Sequence, residues 1–185
     1  MAGTLTVQNL QGPTSGANAN KIIVPSGQTL DVSGGTLTPS AGQVVQTVQD
    51  RSTSDLQTTS TSAYSEVVQG TITLANTSNA VLVTINGMVY KRNNANGTLG
   101  SGLFTLTANG TVIPEAEFSQ YSNTSNYLYW LDAGSAQFIY HMSRTYLHYP
   151  SSTSPQTFSW GIISGGGGNV QIYRGAQIIL QEIAQ

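Results

Sequence analysis

The chain has 185 residues, among them only six Lys and Arg, eight Asp and Glu, two His and no Cys. Charged residues make up 8% of the sequence, against roughly a quarter in an ordinary soluble domain. So few cations cannot build the basic surface that binds phosphate backbones, which argues against nucleic acid as a partner. Without Cys there are no disulfides, thiolate metal sites or thiol nucleophiles. No apolar run is long enough for membrane insertion.

The polar surface must therefore consist of Thr, Ser, Asn, Gln and Gly. Tyr is the main aromatic residue, with nine copies, and a chain rich in Thr and Tyr favours strands. Low charge leaves little repulsion to keep exposed strand edges of neighbouring molecules apart. The composition thus indicates an all-β protein whose edges are buried by assembly.

Residues 1–62 carry short alternating apolar segments, at 3–7, 28–32 and 35–38, separated by Gly and Pro. Alternation of this kind is typical of strands. No aromatic residue occurs before Tyr64, so these strands cannot enclose a core within one chain. We expect residues 1–62 to form an extended, short-stranded anchor or shaft ahead of a second domain at 63–185.

Two arrangements would shelter the apolar residues of this segment. Three chains could wind together, each contributing a thin layer to a common axis, as solenoid repeats cover one another. Alternatively, the segment is an arm that folds onto another protein. The residues expected at trimer or anchor contacts are Leu5, Val7, Ile22, Val24, Leu30, Val32 and Leu37.

The junction at residues 43–62 is ambiguous. Val44, Val45 and Val48 fit one face of a helix as well as a strand. The Ser/Thr-rich stretch 52–62 fits a polar connector or an exposed strand. Helix, strand and linker therefore remain open for this segment.

The second domain contains about ten short strand patterns and no amphipathic helix of three turns. The predicted strands are residues 64–69, 71–75, 80–85, 88–92, 103–107, 127–131, 136–142, 157–163, 169–174 and 176–183. The turn signals between them are Asn86-Gly87, Asn96-Gly97, Asn109-Gly110, Ala133-Gly134 and the glycines at 165–168. Asn-Gly marks a hairpin because a type I′ turn needs positive φ at both residues. The pattern predicts an antiparallel jelly-roll-like sandwich.

Groups capable of catalysis are few. Glu115 and Glu117 share a face if they lie on a strand, as a glycosidase pair would need, but they follow Pro114 in a polar region with no sugar subsite around them. A carboxylate pair in such a loop is typically solvated surface. We therefore expect no enzymatic activity and keep glycan hydrolysis only as a hypothesis.

The imidazoles do not predict a metal site. On one strand His141 and His148 fall on opposite faces because their separation is odd, and a metal site needs at least three ligands. Copies of a single His could meet on a three-fold axis, but a hydrogen-bonded surface or rim His is the favoured interpretation. The glycines at 165–168 lack the Lys-Ser/Thr ending of a phosphate loop and indicate a hairpin loop instead. We expect no cofactor.

Aromatic residues concentrate between residues 121 and 149. The candidates for surface recognition are Tyr121, Tyr127, Tyr129 and Trp130. Tyr and Trp combine apolar area with a polar group and suit sugar rings or protein surfaces. Packing in a core or a trimer interface is the favoured interpretation, and binding of a host glycan is the alternative.

Two stretches resemble virion structural proteins of tailed bacteriophages, in particular those of marine and cyanobacterial hosts. One is residues 12–32, which begins Gly-Pro-Thr-Ser-Gly and ends Lys-Ile-Ile-Val-Pro-Ser-Gly-Gln-Thr-Leu-Asp-Val. The other is residues 169–184, a strand, a short Tyr173-Arg174-Gly175 link and an apolar strand ending in Glu-Ile-Ala. The second stretch is similar to the last two strands of phage fibre tips. The resemblance implies a jelly-roll-like tip that assembles as a homotrimer.

These observations predict a non-enzymatic virion structural protein on the particle exterior, assembled in the host cytoplasm. A shaft of about 60 residues is too short for a long tail fibre, so a trimeric short fibre or a capsid-decoration protein is expected. Its partners would be its own copies, other capsid or tail proteins bound through residues 1–62, and a host glycan or protein. The alternative is a lectin-like adhesin domain.

Overall fold

The computed structural model describes residues 13–17, 19, 22–29, 39–92, 101–113, 129–132, 138–164 and 169–185. The chain divides into two units, Met1–Thr38 and Pro39–Gln185. The strands, all in the second unit, are β1 Val44–Arg51, β2 Leu56–Thr58, β3 Ser65–Ile72, β4 Ala80–Arg92, β5 Ser101–Ala108, β6 Thr111–Val112, β7 Tyr129–Asp132, β8 Phe138–His148, β9 Gln156–Ser164, β10 Asn169–Ile172 and β11 Gln177–Ile183.

The described part of the first unit consists of turns and extended chain. A turn at residues 25–28 is closed by a hydrogen bond from the Gln28 amide to the Pro25 carbonyl at 3.1 Å. Its third residue, Gly27, has a φ of +80°, which fits a type II turn. Just before this turn Ile22, Ile23 and Val24 are 51%, 58% and 40% exposed. Within the part of the chain that the structure describes, this apolar stretch is exposed.

The second unit is built on two antiparallel sheets. At some positions of a sheet two short strands lie end to end along the same neighbour, and we count such a pair, like a single long strand, as one row. In sheet A, β8 pairs with one edge of the long strand β4, while β10 and β11 pair with different halves of its other edge. The outermost row consists of β1, which pairs with β11, and β2, which pairs with β10. In sheet B the rows are β3, β9, β5 and finally β7 with β6.

Numbering these eight rows in chain order gives 1-8-3-6 in sheet A and 2-7-4-5 in sheet B. The chain crosses between sheets at almost every connection. This order is that of a jelly roll, in which two Greek keys are folded together. The all-β antiparallel sandwich expected from the sequence is confirmed, whereas the trimer and the N-terminal shaft remain predictions.

The core lies between the sheets and is supplied by alternate residues of the strands. On β11 each residue that faces sheet B is buried and each that faces outward is half-buried. The largest buried side chains are Trp160 and Phe104, whose ring centroids are 6.2 Å apart. Around them lie buried aliphatic residues of both sheets, among them Val81, Val83, Ile85, Ile162, Ile178 and Leu180.

The prediction of a turn at Asn86-Gly87 is wrong. Both residues lie inside β4, and Gly87 pairs with Met142 of β8. A Cβ at Gly87 would lie 2.9 Å from Cη2 of Trp160, so the glycine makes room for the largest core side chain. Close approach of a neighbouring group is the usual reason for glycine inside a strand.

The prediction of a hairpin at Asn109-Gly110 is confirmed. These residues have φ values of +51° and +77° and join β5 to β6, where Thr107 pairs with Val112. Positive φ at both central residues is what a type I′ turn requires. The turns expected at residues 96–97 and 133–134 lie outside the described residues.

The hairpin expected across residues 165–168 is also wrong. The strand before it, β9, belongs to sheet B, and the strand after it, β10, belongs to sheet A. Adjacent strands of a hairpin must pair with each other, so this connection crosses the sandwich. Residues 165–168 themselves lie outside the described residues.

The ambiguous junction at 43–62 is now assigned to strands β1 and β2. Both are hydrogen-bonded rows of sheet A, and residues 39–62 therefore belong to the sandwich unit, which begins at Pro39. Of the three apolar positions that also fitted a helix, Val48 packs against the core from β1, whereas Val44 is exposed.

Candidate functional site

Two neighbouring rows of sheet A are interrupted side by side. The row of β10 and β11 breaks at residues 173–176, and the row of β1 and β2 breaks at residues 52–55. The breaks are joined by hydrogen bonds of 2.8 Å from the Ser52 amide to the Ala176 carbonyl and from the Gly175 amide to the Ser52 carbonyl. We call this feature the double break.

Side chains fix the double break in place. The Asp55 carboxylate accepts a 2.7 Å hydrogen bond from the Arg174 amide and a 3.1 Å bond from the Gln171 side chain. Gly175 has a φ of +92°, and a Cβ there would lie 2.9 Å from Nη2 of Arg51. The left-handed backbone favours glycine here, whereas the exposed Arg51 side chain could move aside.

An open hollow of about 770 Å³ lies at the double break. Its lining residues are Thr53, Ser54, Asp55, Met88, Ile139, Tyr173 and Arg174. Met88 is 48% exposed and Ile139 is 55% exposed, and the Tyr173 ring lies 6.2 Å from the Tyr90 ring. Its exposed aliphatic side chains suit contact with an apolar group of another molecule.

The hollow continues into the outward side of sheet A. The strand registers place the following uncharged residues on that side, none of them buried: Thr47, Gln49, Gln177, Ile179, Gln181, Leu82, Thr84, Asn86, Ser143, Thr145 and Leu147. We call these residues the neutral face, because none carries a charge. Arg51, opposite Gln177, and His141, opposite Met88, lie on the same side beyond them. The Thr84 and Thr145 hydroxyls lie 3.2 Å apart across adjacent strands.

The outward side of sheet B has a different character. Thr71 and Thr157 hydroxyls lie 2.8 Å apart, and the Ser159 hydroxyl donates a 2.7 Å bond to the Glu66 carboxylate. A hollow of about 430 Å³ there is lined by these hydroxyl-bearing strands and by Tyr64. In contrast to the neutral face, Thr105 and Ile163 on this side are buried.

A buried carboxylate lies at the opposite end of sheet A. Glu182 on β11 is fully buried and accepts hydrogen bonds from Gln46 at 2.6 Å, the Ala75 amide at 2.8 Å and Asn79 at 2.6 Å. Burial raises the pKa of this carboxyl, but hydrogen bonds from Gln46, Asn79 and the backbone outweigh that effect and leave the pKa below its ordinary value. Glu182 is therefore ionised in the fold and joins β1, β11 and the segment before β4.

The two His residues lie on opposite faces of β8, as their odd spacing predicts. His141 pairs with the exposed Met88, whereas His148 pairs with the buried Val81 and has its ring centroid 5.5 Å from that of Phe158. Within the described ranges, no group of three or more His, Asp or Glu residues could hold a metal ion.

The structure describes only some of the predicted site residues. Ile22 and Val24 are exposed, and Tyr129 and Trp130 lie on β7, paired with Phe104 and Leu103. The side chains of the β7 pair are not described. The following residues lie outside the described residues: Leu5, Val7, Leu30, Val32, Leu37, Glu115, Glu117, Tyr121 and Tyr127.

Asp55, Met88, Ile139 and Glu182 were not singled out from the sequence as site residues. Met88 and Ile139 follow apolar patterns that also fit a core, and only the register of β4 with β8 places both beside the hollow. For Glu182 a signal exists: it interrupts the apolar face of the alternating segment 177–183. A carboxylate at such a position requires hydrogen-bond partners in the core.

Together these features define a jelly-roll sandwich whose outward side of sheet A has an extended uncharged surface. No protein-family model and no curated protein matches the sequence. Among solved structures, a mutant VP2 protein of infectious bursal disease virus, from derived T=1 particles, is similar with a TM-score of 0.34 and 12% identity. The alignment covers 94% of this chain and 44% of VP2, so the chain spans less than half of that protein. A likeness at this score carries no argument about function.

Among the residues that the structure describes, no helix has the length and apolar character needed to cross a membrane.

Proposed function

We propose that this chain is a non-enzymatic virion structural protein: a trimeric short fibre or capsid-decoration protein that attaches through its N-terminal segment and displays the sandwich. The observation that carries the proposal is the uncovered stretch Ile22-Ile23-Val24, with more than a third of each side chain exposed. Three adjacent aliphatic residues in extended chain need a partner surface to remove them from water.

The sandwich supports a structural role for a separate reason. Its hollows are open and are lined mainly by hydroxyl, amide and aliphatic groups, with Asp55 and Arg174 in one and Glu66 in the other. Such surfaces bind other macromolecules through area and shape. A jelly roll also hosts many functions, so the attachment to a virion rests on the phage resemblance of residues 12–32 and 169–184.

The uncovered stretch also supports assembly with sister chains. Copies of residues 22–24 that meet around an axis would bury one another, and a homotrimer achieves this with one short segment. Repetition of the same contact in three chains also strengthens attachment to a particle.

The proposal predicts that the intact chain binds particles through the N-terminal segment. Particles of the virus that encodes it, banded on a density gradient, are digested and quantified by mass spectrometry, and we expect the chain at a copy number that is a multiple of three. A double variant, Ile22→Asn with Val24→Asn, should fall at least tenfold in particle occupancy because its apolar contact is lost.

The matched control is Gln28→Asn with Thr29→Asn, which changes exposed polar residues of the same segment and should bind as the unchanged chain does. Absence of the chain from banded particles would contradict the virion role. Equal occupancy of both double variants would contradict attachment through Ile22 and Val24.

A further inference from the structure

We propose that the neutral face of sheet A packs against the sandwich of a second copy of this chain. This inference rests on the proposed function in that it requires an assembling protein, and it goes further by naming the surface. The N-terminal segment and the sandwich would then both contribute to the assembly.

The two outward sides of the sandwich differ in a way that singles out sheet A. The neutral face includes the aliphatic residues Leu82, Leu147 and Ile179, and it continues to Met88 and Ile139 at the hollow. The described outward residues of sheet B around Thr157 and Ser159 are mainly hydroxyls and amides. Apolar groups on a surface that nothing in the described chain covers are typical of an interaction site.

Charge identifies the occupant. Interface cores are depleted of charged residues, and the neutral face has none. Arg51, Asp55 and Arg174 lie at the double break, at one end of the face. Two copies of the neutral face can approach without like-charge repulsion, and the charged groups of the double break then lie at the edge of the contact, where interfaces are polar and reached by water. A strongly charged partner would gain nothing here.

The size of the face is adequate for a subunit contact. Its rows are about 4.8 Å apart and its outward residues about 6.7 Å apart along each strand, so the surface from Leu82 to Tyr90 covers roughly 500 Å² in projection. Each partner of a standard interface contributes about 800 Å². The neutral face with the adjoining hollow therefore supplies most of the area that a stable contact needs.

The sheet structure of the face also favours a second sandwich as the occupant. The hydroxyls of the cross-strand neighbours Thr84 and Thr145 lie 3.2 Å apart and can bond each other when water leaves. Face-to-face packing of sheets places them about 10 Å apart with interdigitated side chains. The uncharged Gln and Thr side chains can pair with their equivalents in another copy.

The test uses the intact chain with an Arg placed in the centre of the face, Thr84→Arg. Its control is Thr157→Arg, a half-buried Thr at a matching outward position of sheet B that likewise pairs with a Thr across the strand. Sedimentation velocity across about 1 to 50 μM measures association, and circular dichroism confirms that each variant is folded. We expect association to weaken at least tenfold for Thr84→Arg and to stay unchanged for Thr157→Arg.

A second variant, Gln181→Arg, with Gln69→Arg on β3 as its control, repeats the test if Thr84→Arg does not fold. The inference would be overturned if both members of a pair associated equally or if only the sheet B control lost association. It would also be overturned if the unchanged chain were a monomer. A chain that associates through this face but is absent from particles would contradict only the virion role. A chain found on particles whose association is insensitive to both sheet A variants would contradict only the proposed interface.

Discussion

Replacement of Glu182 by Leu is expected to lower the free energy of unfolding by about 3 kcal/mol or more. The carboxylate is fully buried, and its removal leaves the Ala75 amide and the side-chain amides of Gln46 and Asn79 without their acceptor. For a chain of this length the loss corresponds to a decrease of roughly 10 °C in Tm. Thermal unfolding followed by circular dichroism measures it.

The control for this variant is Glu66→Leu. Glu66 is also a strand glutamate, but it is exposed and accepts a hydrogen bond from the Ser159 hydroxyl. We expect its change in unfolding free energy to stay within about 1 kcal/mol. If Glu182→Leu were as stable as Glu66→Leu, the buried carboxylate would not hold the end of sheet A together.

Lowering the pH should remove the stabilisation that the ionised Glu182 carboxylate provides. The folded-state pKa of Glu182 is lower than its ordinary value of 4.5, so its stabilising contribution is complete above that ordinary value and is lost as pH falls through the folded-state pKa. The unfolding free energy of the unchanged chain should therefore fall more steeply below pH 4.5 than that of Glu182→Gln. Parallel acid profiles of the two chains would show that Glu182 does not titrate differently on unfolding.

The second large effect is expected at Gly87. In Gly87→Ala the new Cβ would lie 2.9 Å and 3.0 Å from ring atoms of Trp160 and 3.2 Å from Cβ of Ala176. Trp160 is fully buried and cannot retreat without displacing the core, so we expect a loss of about 1 to 3 kcal/mol from overpacking. Urea unfolding with tryptophan fluorescence measures both the stability and the altered ring environment.

Gly70→Ala is the matched control for this substitution. Gly70 also lies in a strand and faces the core, but the atom nearest to its Cβ would be Cδ1 of Leu180 at 3.1 Å, the end of an aliphatic side chain that must shift by only a few tenths of an ångström. We expect a clearly smaller loss than at Gly87. A Gly87→Ala chain as stable as Gly70→Ala would mean that Trp160 does not require the glycine.

The class of fold could be predicted because strand alternation and turn chemistry are local properties. Asn109-Gly110 forms its hairpin because both residues accept positive φ. Asn86-Gly87 is the same dipeptide, but the strand continues through it. The alternation of apolar residues indicates this, because Val83 and Ile85 before the glycine and Val89 after it all lie on the buried side. The tertiary requirement for space beside Trp160 outweighs the local turn preference.

The site was less predictable because it depends on pairings far apart in sequence. The double break exists only because residues 52–55 and 173–176 lie in neighbouring rows, and neither segment alone indicates this. The hollow likewise needs the register that places Met88 and Ile139 on the same side. Composition did predict the uncharged character of these surfaces, since so few charged residues are available to the whole chain.

The dependence of this chain on sister copies is tested most directly by sedimentation equilibrium of the intact protein at micromolar concentration. The account predicts a particle of three times the 19.5 kDa chain mass, which loses subunits when Ile22 and Val24 are replaced by Asn. A stable monomer whose residues 22–24 resist proteolysis would contradict it, because one chain would then shelter its own apolar segment.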